Sequence, residues 1–212
     1  VGAGIVHDSR ADAEFHECGL KSVFLTGLTH EFELFETMLV TEAGCPYLER
    51  HLQRLATSAR YFDFFYDEER VREVIAQAIA QTCTTLQHGS YRLRLALKPS
   101  GDVAIQLAPL QKISVPVNVL LGAAPVKIES LFLQHKTTHR ADYDAAWQRA
   151  EKAGAFDVLF FNHQGELTEG ARSSVFVQLD GRWYTPPLAC GLLPGVMRSV
   201  LLADPAWAAT EK

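Results

Sequence analysis

The feature that most restricts the fold of this chain is a strictly alternating segment in its middle, Tyr91–Leu97 (YRLRLAL). In a β-strand successive side chains point to opposite faces, so the leucines share one face while Arg92 and Arg94 share the other. A Pro-, Ser- and Gly-containing turn at 99–102 leads into a second apolar segment at 103–107. Together they predict a β-hairpin in the middle of the chain.

Helical periodicity marks the stretches before this hairpin. Apolar residues recur at three- and four-residue steps over 47–62 and again over 71–79, which places each set on one side of a helix. Further helices are predicted at about 141–152 and from Gly195 to Leu202. Further strands are predicted at 32–40, 115–121, 157–161, 175–179 and 182–185. We therefore expect an α+β fold of two lobes: a small α/β lobe over 26–121 and a larger, mostly antiparallel β lobe over 122–212.

Composition excludes several functional classes. The chain has 20 Lys and Arg against 25 Asp and Glu, a formal net charge of −5, which argues against nucleic-acid binding. No stretch approaches the ~18 consecutive apolar residues of a membrane-spanning helix. The four cysteines are scattered (Cys18, Cys45, Cys83 and Cys190), a pattern typical of reduced thiols in a cytoplasmic protein rather than of a disulfide framework or a zinc site.

Lys136 is the first candidate for chemistry, because it follows the apolar residues 131–133. A lysine in apolar surroundings can lose its proton and act as a nucleophile or general base. The alternative is an exposed loop lysine. His135 and His139 flank it at a spacing that binds zinc on a helix, but no glutamate follows His135 and the two intervening threonines disfavour a helix. A metal site is therefore not expected.

Three further candidates are weak when taken one at a time. Glu169 precedes a segment rich in small residues, 170–174 (GARSS), where a carboxylate could hold a protonated ring nitrogen, although a solvated turn acid would look the same. Pro194-Gly195 precedes a predicted helix, whose free N–H groups can bind phosphate. Arg54 lies off the apolar face of the first helix, where most residues are simply exposed.

In combination, five motifs in their order along the chain resemble the class IV aminotransferase family, the fold type IV enzymes of pyridoxal phosphate. The resemblance covers roughly 32–202. It rests on Leu34-Phe35-Glu36-Thr37, on 47–55 (YLERHLQRL), on 136–140 (KTTHR), on Leu167-Thr168-Glu169-Gly170 and on Leu193-Pro194-Gly195.

The resemblance implies pyridoxal phosphate as cofactor, with a role for each matching residue. Lys136 would bond to the cofactor aldehyde, and Glu169 would keep its ring nitrogen protonated. Arg54 and the helix start at Gly195, Val196 and Met197 would hold its phosphate. The family also implies a homodimer.

Two residues resemble the 4-amino-4-deoxychorismate lyases of this family more than its transaminases. Arg140 stands where transaminases commonly have a tyrosine, and Thr37 stands where the lyases have a threonine linked to proton transfer. The implied reaction converts 4-amino-4-deoxychorismate to 4-aminobenzoate and pyruvate, a step towards folate, with Lys136 and Thr37 as catalytic residues. Because this substrate is a dicarboxylate, Arg140 and either Arg92 or Arg94 are candidate carboxylate ligands.

The first 25 residues resemble the C-terminus of chorismate-binding synthases such as aminodeoxychorismate synthase component I. In that family two glutamates, matched by Glu14 and Glu17, help to bind magnesium, a site that they cannot form without the rest of the synthase. The resemblance implies a bifunctional polypeptide in which a synthase tail precedes a lyase whose final segment is missing. A glutamine amidotransferase would be its partner through the synthase part.

Two other interpretations stay open. A class IV transaminase acting on D- or branched-chain amino acids would use the same cofactor residues. A non-catalytic module of the synthase would use none of them.

Overall fold

The computed structural model describes residues 32–83, 89–126 and 131–212. The synthase-like segment, with Glu14 and Glu17, lies outside these residues. The strands are β1 (Leu34–Val40), β2 (Tyr91–Leu97), β3 (Val103–Pro109), β4 (Val119–Leu121), β5 (Asp157–Phe161), β6 (Leu167–Gly170), β7 (Val177–Leu179), β8 (Arg182–Thr185) and β9 (Thr210–Glu211). The helices are α1 (Leu48–Tyr61), α2 (Glu68–Cys83), α3 (Ala141–Lys152) and α4 (Val196–Ala203), with 3-10 turns at Leu131–Gln134 and Leu188–Cys190. The α+β class is confirmed.

The first sheet is antiparallel, in the order β1-β2-β3, with Leu34 opposite Leu97. The alternation predicted for β2 is present, because its three leucines are buried and Arg92 is exposed. Helix α1 packs on β1, and α2 packs on β3. Fully buried side chains from these elements form the first core: Leu34, Met38, Leu52, Leu55, Ile75, Leu93 and Leu95.

The second half holds two three-stranded sheets, β4-β5-β6 and β7-β8-β9. The expected mostly antiparallel arrangement is only partly correct, since β4–β5 and β8–β9 are parallel pairs. Both pairs are joined through a helix, α3 in one case and α4 in the other, and such a crossover connection is what a parallel pair requires. Residues of α3, β5, the loop between them and the loop after β6 form a second core: Ala146, Ala150, Ala155, Val158, Phe160 and Ala171.

The β7–β8 hairpin turns at Asp180-Gly181, as predicted, and both residues have positive φ angles (49° and 76°). These values match the turn type that two-residue hairpins favour. The two residues of β9 pair with β8 where no final element was expected. Among the described helices, none is long and apolar enough to cross a membrane.

Candidate active site

A cavity of about 1270 Å³ lies between the first sheet, helix α1, the segment around Lys136, the end of β6 and the start of α4. Its lining includes eight of the predicted site residues: Thr37, Arg54, Lys136, Arg140, Glu169, Gly195, Val196 and Met197. The two alternative strand arginines, Arg92 and Arg94, do not line the cavity, and Arg92 is exposed on β2. Residues far apart in the sequence therefore meet at one place.

Lys136 is held beside β1 by its own backbone. The Phe35 N–H donates to the Lys136 carbonyl (2.9 Å), and the Thr138 N–H donates to the Glu33 carbonyl (2.9 Å). The Lys136 Nζ lies 4.6 Å from the centre of the Phe35 ring. Burial, with the positive charge of Arg54 as a second cause, lowers the pKa of Lys136 to about 8. Lys136 is thus an amine that is partly neutral at ordinary pH, and the exposed-loop alternative is wrong.

The two flanking histidines have different neighbours. The ring of His135 lies 4.4 Å from that of Tyr61, and its Nδ1 is 3.0 Å from the Ser58 Oγ. Burial lowers the pKa of His135 to about 4. His139 instead contacts the Phe132 ring. The described residues contain no cluster of three His, Cys, Asp or Glu side chains that could hold a metal ion.

Glu169 lies near the end of β6 and is buried. Burial raises its pKa to about 7, although the Leu193 N–H, which donates to its Oε2 (3.2 Å), and the charges of Arg140 and Lys136 act in the opposite direction. The acid is therefore not a solvated turn residue, and a cation placed against it would favour its charged form. Sequence reasoning missed Tyr143, whose pKa is raised by burial and, as a second cause, by the nearby Glu169.

Arg54 and the start of helix α4 form the positively charged end of the cavity. The Arg54 Nη1 donates to the Pro194 carbonyl (3.1 Å), just before the helix begins at Val196. Gly195 is the N-cap residue, and no side chain caps the helix there. Free N–H groups and a guanidinium in one place form an anion-binding arrangement.

Glu36 is the second residue that sequence reasoning missed, although it lies inside a quoted motif. Its buried carboxylate accepts hydrogen bonds from Arg54 Nε (2.8 Å) and Nη2 (2.6 Å), and His51 Nδ1 lies 2.7 Å away. The signal was the spacing of His51 and Arg54, which are three residues apart on α1 and therefore on one side of the helix.

Arg140 is fixed by two contacts at the cavity wall. Its Nε donates to Asp144 (3.0 Å), and its Nη2 donates to the Ala171 carbonyl. Of the two strand arginines, Arg94 is the one near the site, since its guanidinium lies 4.0 Å from the centre of the same Phe35 ring that Lys136 contacts.

The fold and the cavity define a class of protein. Residues 33–208 match the family described as Amino-transferase class IV, a range that spans all three sheets except the last strand and includes the whole cavity lining. The chain belongs to this family.

Its relatives include proteins named as lyases and proteins named as transaminases. The chain is 34% identical over 179 residues to the "Putative aminodeoxychorismate lyase" of Schizosaccharomyces pombe, covering 82% of this chain and 74% of that protein. It is 30% identical over 167 residues to the "Bifunctional aminodeoxychorismate lyase / D-amino acid transaminase" of Mycobacterium tuberculosis, covering 70% of this chain and 57% of that protein. The crystal structure of a "Putative amino-acid aminotransferase" from Mesorhizobium loti superposes with a TM-score of 0.75, with 34% identity and 86% of both chains covered.

Proposed function

We propose that this protein is a pyridoxal phosphate-dependent lyase that converts 4-amino-4-deoxychorismate to 4-aminobenzoate and pyruvate. The main support for this cofactor is that Lys136, Glu169 and the Arg54–α4 region line one cavity. The lyase reaction is supported by Arg140 at the cavity wall and by the similarity to a lyase-named protein over 82% of the chain.

The residues fit the three functional groups of pyridoxal phosphate. The aldehyde needs a neutral amine, and the pKa of Lys136 is lowered to about 8. The ring nitrogen needs an acid nearby, and Glu169 is a buried acid whose pKa burial raises. The phosphate needs donors and positive charge, and Arg54 and the uncapped helix start supply both. When bound, the cofactor supplies an aldehyde for the substrate amine and a ring that accepts an electron pair.

Lys136 then acts as the base of the reaction. It removes the proton from the substrate carbon that bears the nitrogen. The bond between the neighbouring carbon and the enolpyruvyl oxygen breaks, and the oxygen keeps the electron pair while the carbocycle becomes aromatic. Lys136 or Thr37 returns one proton to the methylene carbon of the departing fragment, which makes it pyruvate. Thr37 is suited to this step because it is exposed on the cavity side of β1.

The two substrate carboxylates are assigned to arginines. Arg140 lines the cavity, and its contacts with Asp144 and Ala171 hold its guanidinium in place. Arg94 is favoured over Arg92 for the second carboxylate, because it shares the Phe35 ring with Lys136 whereas Arg92 is exposed. The enzyme acts as a homodimer in the cytoplasm.

The direct test is release of 4-aminobenzoate from 4-amino-4-deoxychorismate by the cofactor-loaded protein. We expect release by the parent protein and a loss of at least about a thousandfold in Lys136→Ala, since that variant lacks both the amine and the base. A matched control is Lys152→Ala, which removes an exposed lysine at the end of α3. Equal release from the parent and Lys136→Ala would overturn the role of Lys136.

A class IV transaminase is the second candidate, favoured by the transaminase names among the relatives. The two reactions separate when the loaded protein receives a D- or branched-chain amino acid alone. A transaminase converts its cofactor stoichiometrically to the pyridoxamine form, which changes the visible absorbance, whereas a dedicated lyase does not. A protein that remains colourless with pyridoxal phosphate would instead support a non-catalytic module of aminodeoxychorismate synthase.

A further inference from the structure

The buried acid Glu36 has no assigned part in the chemistry, yet it binds the residue assigned to the cofactor phosphate. Its side chain is 1% exposed, and it forms two hydrogen bonds with the Arg54 guanidinium at 2.6 and 2.8 Å. The His51 Nδ1 lies 2.7 Å from the Oε2 that accepts the Arg54 Nη2. Glu36 is therefore held by α1 from two positions, 51 and 54.

These bonds determine how many N–H donors of the guanidinium remain available. Arginine has five N–H donors in a rigid plane. Glu36 uses the Nε–H and one Nη2–H, and the Pro194 carbonyl uses one Nη1–H. One hydrogen on each Nη is left, and these two N–H groups can donate to a phosphate.

We propose that Glu36 is a positioning residue for the phosphate of the cofactor and that it acts through Arg54. It holds the guanidinium so that the two remaining Nη hydrogens are available to the anion while Nη1 also bonds to the Pro194 carbonyl before helix α4. The proposal rests on the proposed function, because the phosphate in question is that of pyridoxal phosphate.

Glu36 has two effects on a bound phosphate, and they oppose each other. Its geometry orients Arg54, which favours binding, whereas its negative charge repels the phosphate. Glu36→Asp separates these effects, because it keeps the charge but shortens the side chain by one methylene, so that both bonds to Arg54 cannot be kept. Positioning predicts weaker phosphate binding in this variant, and simple charge competition predicts no weakening.

The experiment compares the affinity of the full chain for pyridoxal phosphate with its affinity for pyridoxal, which lacks the phosphate, by absorbance titration. We expect Glu36→Asp to lower the affinity for pyridoxal phosphate about tenfold and to leave pyridoxal within about twofold. The matched control is Glu49→Asp, in a second bidentate pair with Arg72 that lies outside the cavity lining. It should change neither affinity.

Two further variants make the result specific. In an Arg54→Gln background Glu36→Asp should have no additional effect on the phosphate preference, because the two residues act as a unit. His51→Gln leaves Glu36 and Arg54 in place but removes the contact of His51 with Glu36. It should therefore also lower the preference for pyridoxal phosphate over pyridoxal, by less than Glu36→Asp does. It serves as the test if Glu36→Asp does not fold, as judged by circular dichroism.

The outcomes distinguish this proposal from the proposed function. Unchanged or tighter binding of pyridoxal phosphate by folded Glu36→Asp, or by folded His51→Gln where Glu36→Asp does not fold, overturns the positioning role while the parent protein still binds its cofactor. A parent protein that binds both compounds equally overturns the phosphate site and this role together. A parent protein that binds neither overturns the proposed function.

Discussion

Two bidentate arginine–glutamate pairs in this protein have almost the same hydrogen-bond distances in opposite surroundings. Arg54 contacts Glu36 at 2.6 and 2.8 Å, and Arg72 contacts Glu49 at 2.6 and 2.7 Å. The Glu36 side chain is 1% exposed, whereas that of Glu49 is 76% exposed. Arg54 and Glu49 even belong to the same helix, α1.

The difference shows where charge serves function rather than stability. An exposed pair forms in water, where screening and side-chain entropy leave little net stabilisation. A buried pair pays for desolvation of both ions and is seldom more stable than an apolar substitute. Burial of Glu36 and Arg54, like that of Lys136 and Glu169, is therefore best explained by the cavity that these charges serve.

The largest expected effect is the loss of one partner from the buried pair. Glu36→Ala leaves the Arg54 charge buried without its partner, so we expect a loss of about 3–5 kcal/mol in the free energy of unfolding. Glu49→Ala should cause almost no loss. Urea titrations at neutral pH measure both, and equal losses would remove the distinction between the two pairs.

The next largest effect is a change with pH in the free energy of unfolding, caused by Glu169. Its folded-state pKa, about 7, lies above its ordinary value of 4.5, so the folded protein binds more protons than the unfolded chain between these values. The contribution of Glu169 to stability is therefore full below pH 4.5 and is lost as the pH rises through 7. Relative to Glu169→Gln, the cofactor-free parent should lose about 3 kcal/mol between pH 4.5 and 8.

Unfolding titrations of both proteins at several pH values provide this measurement. Glu49→Gln, which changes an exposed acid, is the control. Its free energy of unfolding should change with pH nearly as that of the parent does from pH 5 to 8. A difference in the free energy of unfolding between the parent and Glu169→Gln that stays constant with pH would show that Glu169 does not titrate in this range.

Lys136 should produce a smaller effect, on a rate. Its pKa is lowered by burial to about 8 from 10.5, and only the neutral amine can bond to an aldehyde. The rate of cofactor capture should rise about tenfold per pH unit below 8 and level off above it. Stopped-flow absorbance measures the rate, and a rise that continues to pH 10 would indicate an ordinary, exposed lysine.

Salt should have the smallest effect, and only on the exposed pair. Raising the ionic strength from ~0.1 M to ~1 M shortens the screening length from about 10 Å to about 3 Å. Any small difference in Tm between the parent and Glu49→Gln should disappear, whereas the difference for Glu36→Gln should persist. Loss of both differences would mean that the Glu36 pair is accessible to solvent.

The difference between local and long-range information explains what could be predicted from the sequence. The first sheet and α1 were predictable because strand alternation and helical periodicity are local patterns, and predicted and observed ends of β1 and α1 differ by two residues or fewer. The parallel β8–β9 pair was not predictable. Strand β9 has only two residues, which show no periodicity and pair with residues that are separated from them by 25 positions.

The site residues also fall into those that short motifs predict and those that they do not. Lys136, Glu169 and Arg54 were found through motifs, and the structure brings them to one cavity. Glu36 and Tyr143 were missed because their importance comes from partners that are distant in sequence or from burial, neither of which a short motif records. The sequence could not decide between Arg92 and Arg94, since alternation places both on one face and only the tertiary fold separates them.

The most direct test of the account is to locate the amine that carries the cofactor. Reduction of the pyridoxal phosphate-loaded protein with borohydride fixes the cofactor to that amine, and peptide mass spectrometry identifies the residue. We predict that one pyridoxyl phosphate group is found on the peptide containing Lys136 and that Lys136→Ala abolishes the label. Label on exposed lysines such as Lys98 or Lys152, or equal labelling of Lys136→Ala, would contradict the assignment of this cavity as the active site.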